Sequence, residues 1–206
     1  MYTPKNFRNE NSDELKQFIR DNGFGILISQ MEGKPWATHI PMILSEDGKT
    51  LTGHVARANF QWKNFDTASD VLAVFSGPHA YISSSWYDHE NVPTWNYIAV
   101  HVTGKIRIIE DEALLQSLKD LVNKYEKDSA CPVTVEKMTP KLLQADIKAI
   151  VAFEIQIEKM EASYKLSQNR DDKNYQQIIA ELQRRNDTGS SEIAREMKKN
   201  RSVEKH

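Results

Sequence analysis

The chain has 206 residues, 39% hydrophobic and 27% charged, with four Trp, seven Tyr and seven Phe, which excludes intrinsic disorder and supports one substantial domain with or without a helical appendage. A formal net charge of −2 excludes a global basic footprint, so any DNA contact must be local. No apolar run approaches the roughly 18 residues of a membrane-spanning helix, the N-terminus lacks a basic and apolar leader, and the single Cys131 makes no internal disulfide, so the expectation is a cytoplasmic protein with no membrane partner and no metal.

The first helix is read over residues 12–21: Asn11 and Glu14 form a capping-box pattern, Leu15, Phe18 and Ile19 line one face, and Gly23 supplies the stop. Short β-rich runs follow. GILIS at 25–29, a turn at MEGKP, WATHIPMIL at 36–44, a hairpin connection at EDGKT and LTGHV at 51–55 predict an antiparallel meander.

GHVARANFQWKNF leaves the strand at Val55 and presents Arg57, Asn59, Gln61 and Lys63 ahead of a predicted helix. A guanidinium, amide donors and helix N–H groups suit a phosphate; the same composition also suits a solvated turn.

VLAVFSG at 71–77 and AYISSSWY at 80–87 read as two strand segments interrupted at Gly77-Pro78, and WNYIAVHVTGKIRII at 95–109 is the longest β-run. Within it Tyr97, Ala99, His101 and Thr103 share one face and Ile98, Val100 and Val102 the other, as in a barrel wall that also serves an interface or pocket. Helical periodicity returns at 111–126, with Leu114, Leu115, Leu118, Leu121, Val122 and Tyr125 in one stripe. Thr139-Pro140 opens a short helix, VAFEIQIEKMEAS is an alternating strand, and from Asp171 a helix carries Tyr175, Ile178, Ile179 and Leu182 until NDTGSS breaks it.

Residues 184–206 hold seven Lys or Arg against four Asp or Glu; the mixed charges read as a solvated helix and frayed tail before they read as a nucleic-acid arm. Strands interrupted by helical excursions predict a mainly β chain with helices, not a parallel α/β sheet. The expected division is a domain at 1–170 and a helical extension at 171–206.

No motif demands covalent catalysis. Cys131 lacks an assignable His partner, and Ser83, Ser84 and Ser85 lack a nucleophile elbow. His39, His54, His79, His89 and His101 fall in or beside strands, with spacings that match no metal-ligand pattern.

Six blocks in order, MYTPKNF, HIPMIL (39–44), GHVARANFQWKNF (53–65), SGPHAYISSSWY (76–87), VPTWNYIAVHVTGKI (92–106) and KLSQNRDD (165–172), resemble the PaiB family of FMN-binding negative transcriptional regulators. The resemblance covers most of residues 1–182. It implies a split β-barrel of the flavin-reductase and pyridoxamine-phosphate-oxidase kind, homodimeric, with FMN in clefts at the subunit interface. It also implies repression of sporulation and protease genes, with DNA contacted directly or indirectly. An FMN-dependent oxidoreductase of unknown substrate and a haem-binding split barrel are the alternatives.

Carried across block by block, the resemblance places Arg57, Asn59 and Gln61 on the phosphate, with His54 and Ala56 lining the approach. His39, Ile40 and Pro41 lay backbone along the isoalloxazine edge. His79, Tyr81, Trp86 and Tyr97 form an aromatic wall, for which a barrel core or dimer interface is the other reading of Trp86 and Tyr97. Lys165 brings a positive charge near the flavin or makes a surface ion pair. The family usually has proline where this chain has Phe60 and Ser84; each change frees a φ angle and restores an N–H donor beside the expected pocket.

Overall fold

The side-chain oxygen of Asn11 accepts from the N–H groups of Asp13 at 3.1 Å and Glu14 at 3.2 Å, which starts the first helix, α1 (Ser12–Asp21), where the spacing predicts it. The capping box closes on one side only: Glu14 accepts from Asn9 Nδ2 at 3.0 Å, and the Asn11 N–H goes to Asn9 Oδ1 at 2.9 Å. Gly23 meets a need for room. A Cβ there would stand 2.6 Å from Lys124 Nζ and 3.0 Å from the Met42 carbonyl oxygen.

This computed structural model describes residues 1–65 and 70–203; Glu204 and Lys205 of the charged tail lie outside them. Among the described residues eight strands and five α-helices follow one another. The strands are β1 (Arg8–Asn9), β2 (Phe24–Met31), β3 (Lys34–Pro41), β4 (Ile43–Leu44), β5 (Thr50–Ala56), β6 (Asp70–Ile82), β7 (Thr94–Ile109) and β8 (Ile150–Lys165). The remaining helices are α2 (Asp111–Glu126), α3 (Pro140–Ala149), α4 (Asp172–Arg184) and α5 (Thr188–Val203). One sheet connects the strands in the order β3-β2-β6-β7-β8-β5-β4, and β1 adds to β8.

The chain divides into two compact units built from alternating segments: Met1–Leu15, Ser76–Val100 and Glu161–His206 in one, Lys16–Phe75 and His101–Met160 in the other. In the second unit β2 and β3 form a two-residue hairpin whose Glu32 (φ 51°) and Gly33 (φ 75°) are both left-handed, the turn that matches the twist of the strands. Leu51, Gly53 and Val55 of β5 and Val151, Phe153 and Ile155 of β8 point into the core. The Phe65 and Phe153 rings meet edge to face at 5.4 Å. A Cβ on Gly53 would lie 2.8 Å from the Phe153 ring and 3.2 Å from the Pro41 carbonyl oxygen, so the absent side chain is what lets β3 approach β5 as the sheet curls.

β6 runs through Gly77-Pro78 without a break, where the turn residues suggest two segments. Its ladder to β2 occupies Leu72–Val74, short of Pro78, so the missing N–H costs that ladder nothing. The segment after Asn59 is a 3-10 turn at Phe60–Asn64 rather than an α-helix.

In the first unit Tyr175, Ile178, Ile179 and Leu182 of α4 are buried with Ile193, Ala194 and Met197 of α5. The Tyr175 hydroxyl donates to the Met197 carbonyl at 2.6 Å. NDTGSS is therefore a helix start as well as a helix stop: Asp187 Oδ1 accepts from the Ser190 N–H at 2.8 Å, and a packed helix follows where a solvated one was expected.

Candidate flavin site

β5 delivers the chain to Arg57 with its register against β8 intact down to Ala56↔Ile150, and the Arg57 N–H continues onto the Ala149 carbonyl at 2.8 Å. The guanidinium then grips the same stretch of backbone, Nε to the Lys148 carbonyl and Nη2 to the Ile150 carbonyl, each at 2.8 Å. Nη1 has no acceptor among the described residues. The Trp62 indole N–H returns to the Arg57 carbonyl at 2.9 Å, and the guanidinium carbon lies 5.9 Å from the indole centroid.

Asn59 and Gln61 turn the other way, toward β3 and β2. Gln61 is fully buried: Nε2 donates to Ser29 Oγ at 3.0 Å and the Leu27 carbonyl at 3.2 Å, and Oε1 accepts from the Thr38 hydroxyl at 2.6 Å. Asn59 Nδ2 donates to the same hydroxyl at 2.9 Å, while its Oδ1 caps the Gln61 N–H at 3.2 Å. Of the three residues read as phosphate ligands, Arg57 faces outward, whereas Asn59 and Gln61 brace the turn with their side chains spent on protein partners. Phe60 is exposed, with the Lys63 ammonium 4.3 Å from its ring centroid.

Arg57 and Trp62 line a cleft of about 320 Å³ with Ile108, Glu110, Ile147 and Lys148 among its other walls, at the small end of ligand-sized cavities. Arg57 and Lys148 bring positive charge, Trp62 and the isoleucines bring apolar surface, and Glu110 and Asp111 on the same rim bring negative charge. The Arg57 side of this cleft has the chemistry a flavin phosphate needs: an unspent guanidinium N–H, a second cation and a ring face. Lys148, Trp62 and Thr38 were not singled out from sequence, and only Trp62 carried a signal, lying inside the ARANFQW block.

On β3, His39 is exposed opposite Ile26, Ile40 is buried opposite Gly25, and Pro41 ends the strand opposite Phe24. His54 pairs with Ala152 on β5; burial pushes its imidazole pKa down, because a charged ring loses hydration there. Ala56 is exposed at the end of the ladder.

The aromatic residues expected to form a wall gather in the first unit. His79 and Tyr81 of β6 both meet Trp95 of β7, at ring distances of 6.0 Å and 5.8 Å. Trp86 sits on the 3-10 turn Ser84–Trp86 under the Arg185 guanidinium, whose carbon is 4.6 Å from the indole centroid. Arg185 Nη1 also donates to the Tyr81 carbonyl at 2.8 Å. Trp95 is the missed member of this group, although its spacing from Tyr97 places both on one face of the strand. Tyr97 stands apart from the group and shares a hydrogen bond with Ser163 at 3.2 Å. Lys165 donates to the Thr94 hydroxyl and lies 6.0 Å from the Phe7 ring centroid. Burial, and then the Arg170 charge, lower its pKa.

Residues 1–159 match the family described as "Putative FMN-binding domain". The chain is 45% identical over 196 residues to the Bacillus subtilis (strain 168) "Protease synthase and sporulation protein PAI 2", covering 94% of this chain and 95% of that protein. Among solved structures it resembles the flavocytochrome Anf3 from Azotobacter vinelandii, with a TM-score of 0.58, 17% identity, and 82% and 75% of the two chains covered. It also resembles the FAD and heme binding protein from Mycobacterium smegmatis, with a TM-score of 0.61, 13% identity, and 77% and 73% covered. At these identities the two structures speak to the fold alone, and that fold is the split barrel expected from the sequence.

Proposed function

Because the chain belongs to the PaiB-type FMN-binding domain family and FMN is its cofactor, we propose that it is a cytoplasmic, homodimeric, FMN-binding negative regulator acting in sporulation and protease synthesis. The observation that carries this reading is the reach of the relationship: 45% identity extends over 94% of the chain, and so continues past residue 159, where the domain match ends, through α4. A relative sharing the barrel alone would support the cofactor and not the regulatory role.

In this reading Arg57 holds the phosphate through Nη1 while its other nitrogens stay on backbone carbonyls, so binding requires no rearrangement of the side chain. Lys148 adds a second cation and Trp62 a flat apolar wall. Bound FMN supplies a redox-active ring, and the chain supplies position and electrostatics. In the homodimer the His79, Tyr81 and Trp86 group, extended by Trp95, serves the aromatic wall of the flavin cleft, and His39, Ile40, Pro41, His54, Ala56, Tyr97 and Lys165 complete its lining. Direct DNA contact draws on α5, whose Arg195, Lys198 and Lys199 are exposed while Ile193, Ala194 and Met197 are buried. That basic face is local, in keeping with the net charge of −2.

Absorption titration with FMN followed by gel shift of apo and loaded protein against increasing salt tests the proposal. Direct repression predicts flavin bands and a shift on regulatory DNA that outlasts the shift on random DNA as salt rises. Equal affinity for both DNAs points to indirect regulation. NAD(P)H oxidation by the loaded protein points to an oxidoreductase instead, and a Soret band with haemin but no flavin band points to haem.

A further inference from the structure

We propose that Thr38 is the positioning residue of the phosphate turn, an inference that rests on the reading of Arg57 as the phosphate ligand. A threonine hydroxyl has one proton to give and lone pairs to accept with. Here it gives the proton to Gln61 Oε1 at 2.6 Å and accepts from Asn59 Nδ2 at 2.9 Å. Those two bonds decide which way both amides face. With Nδ2 on Thr38, Asn59 has its oxygen on the Gln61 N–H. With Oε1 on Thr38, Gln61 has its nitrogen on Ser29 and the Leu27 carbonyl. One hydroxyl on β3 thus pins the turn from the side opposite to the Lys148 and Ile150 carbonyls that pin Arg57.

Valine at position 38 keeps the shape and the strand preference but removes the hydroxyl. Gln61 Oε1, in a fully buried side chain, then loses its donor, and the Asn59 amide is free to turn. The Arg57 guanidinium keeps its own backbone anchors, so the barrel stays folded while the turn between Arg57 and Trp62 is held less firmly. The quantity that changes is the extra affinity that the flavin gains from its phosphate.

Fluorescence titrations with FMN and riboflavin measure that increment as the ratio of the two dissociation constants. Thr38→Val is expected to shrink the ratio about tenfold while leaving riboflavin affinity within about twofold, and Thr38→Ser is expected to restore it. Asn59→Ala, on the partly exposed side of the same hydroxyl, is expected to reproduce the loss while the Gln61 side-chain bonds to Thr38, Ser29 and the Leu27 carbonyl remain. An undiminished ratio in Thr38→Val or Asn59→Ala, or an equal weakening of both ligands, overturns the proposal. A wild-type protein that binds FMN and riboflavin alike overturns the reading of Arg57 on which the proposal rests, so the two failures are distinguishable.

Discussion

Arg57 donates its Nη2 to the Ile150 carbonyl at 2.8 Å, across 93 positions of sequence, and this bond decides what the turn after β5 can do. A guanidinium held on two backbone carbonyls is pre-oriented, and Arg57 lines a cleft with Trp62 and Lys148 while its remaining nitrogen has no acceptor among the described residues. The entropy of fixing a long side chain has already been spent in folding.

Replacing Arg57 by alanine is therefore expected to weaken FMN roughly tenfold to a hundredfold, the range of a lost charge-assisted hydrogen bond. Because the side chain is exposed, folding stability should change by no more than about 1 kcal/mol. Flavin fluorescence quenching and a urea titration on the same samples separate the two effects; unaltered FMN affinity would remove Arg57 from the site.

Gln61→Met keeps the volume of a fully buried side chain but removes the amide that Ser29, Thr38 and the Leu27 carbonyl share. The expected cost is about 2–3 kcal/mol of folding stability, read from the midpoint of urea unfolding. A variant as stable as the parent would mean that the buried network contributes nothing to the turn.

His54 makes stability depend on pH in a defined direction. Burial lowers its folded pKa below the ordinary value of 6.5, so between those two values the unfolded chain binds more protons and acid favours unfolding. Stability is complete above about pH 6.5 and falls as the solution is acidified toward the folded pKa. His54→Gln should flatten the decline below about pH 6.5; an unchanged slope would assign it to other groups.

Arg185 fastens the end of α4 to β6 and to the turn at Trp86. Arg185→Ala is expected to raise amide exchange about fivefold at the α4 end and in the following turn, and to alter the Trp86 emission. Exchange that stays at parental rates would show that the buried Tyr175 and Met197 contacts hold these helices unaided.

Most element positions were legible because each rests on local chemistry. Asn11 caps α1, Thr139 and Pro140 start α3, Glu32 and Gly33 make the β2–β3 turn, and the apolar stripe of α2 has helical spacing. Pro78 misled because a proline's effect depends on whether its missing N–H faces a ladder, which a strand's neighbours determine. α5 looked solvated because three buried residues, Ile193, Ala194 and Met197, suffice to anchor a helix once a complementary α4 is present.

The candidate site divides along the same line. By itself the sequence determined the run of strands and helices, the family, the cofactor, and that Arg57 belongs to a turn rich in donors, since all of these reside in short motifs and in their order. Only the tertiary structure decided that Asn59 and Gln61 face inward, that Thr38 orients both, and that Lys148, ninety-one positions away, shares a cleft with Arg57. The physical reason is that an amide or hydroxyl has no fixed role of its own: its partner is whichever group the curling sheet brings within about 3 Å.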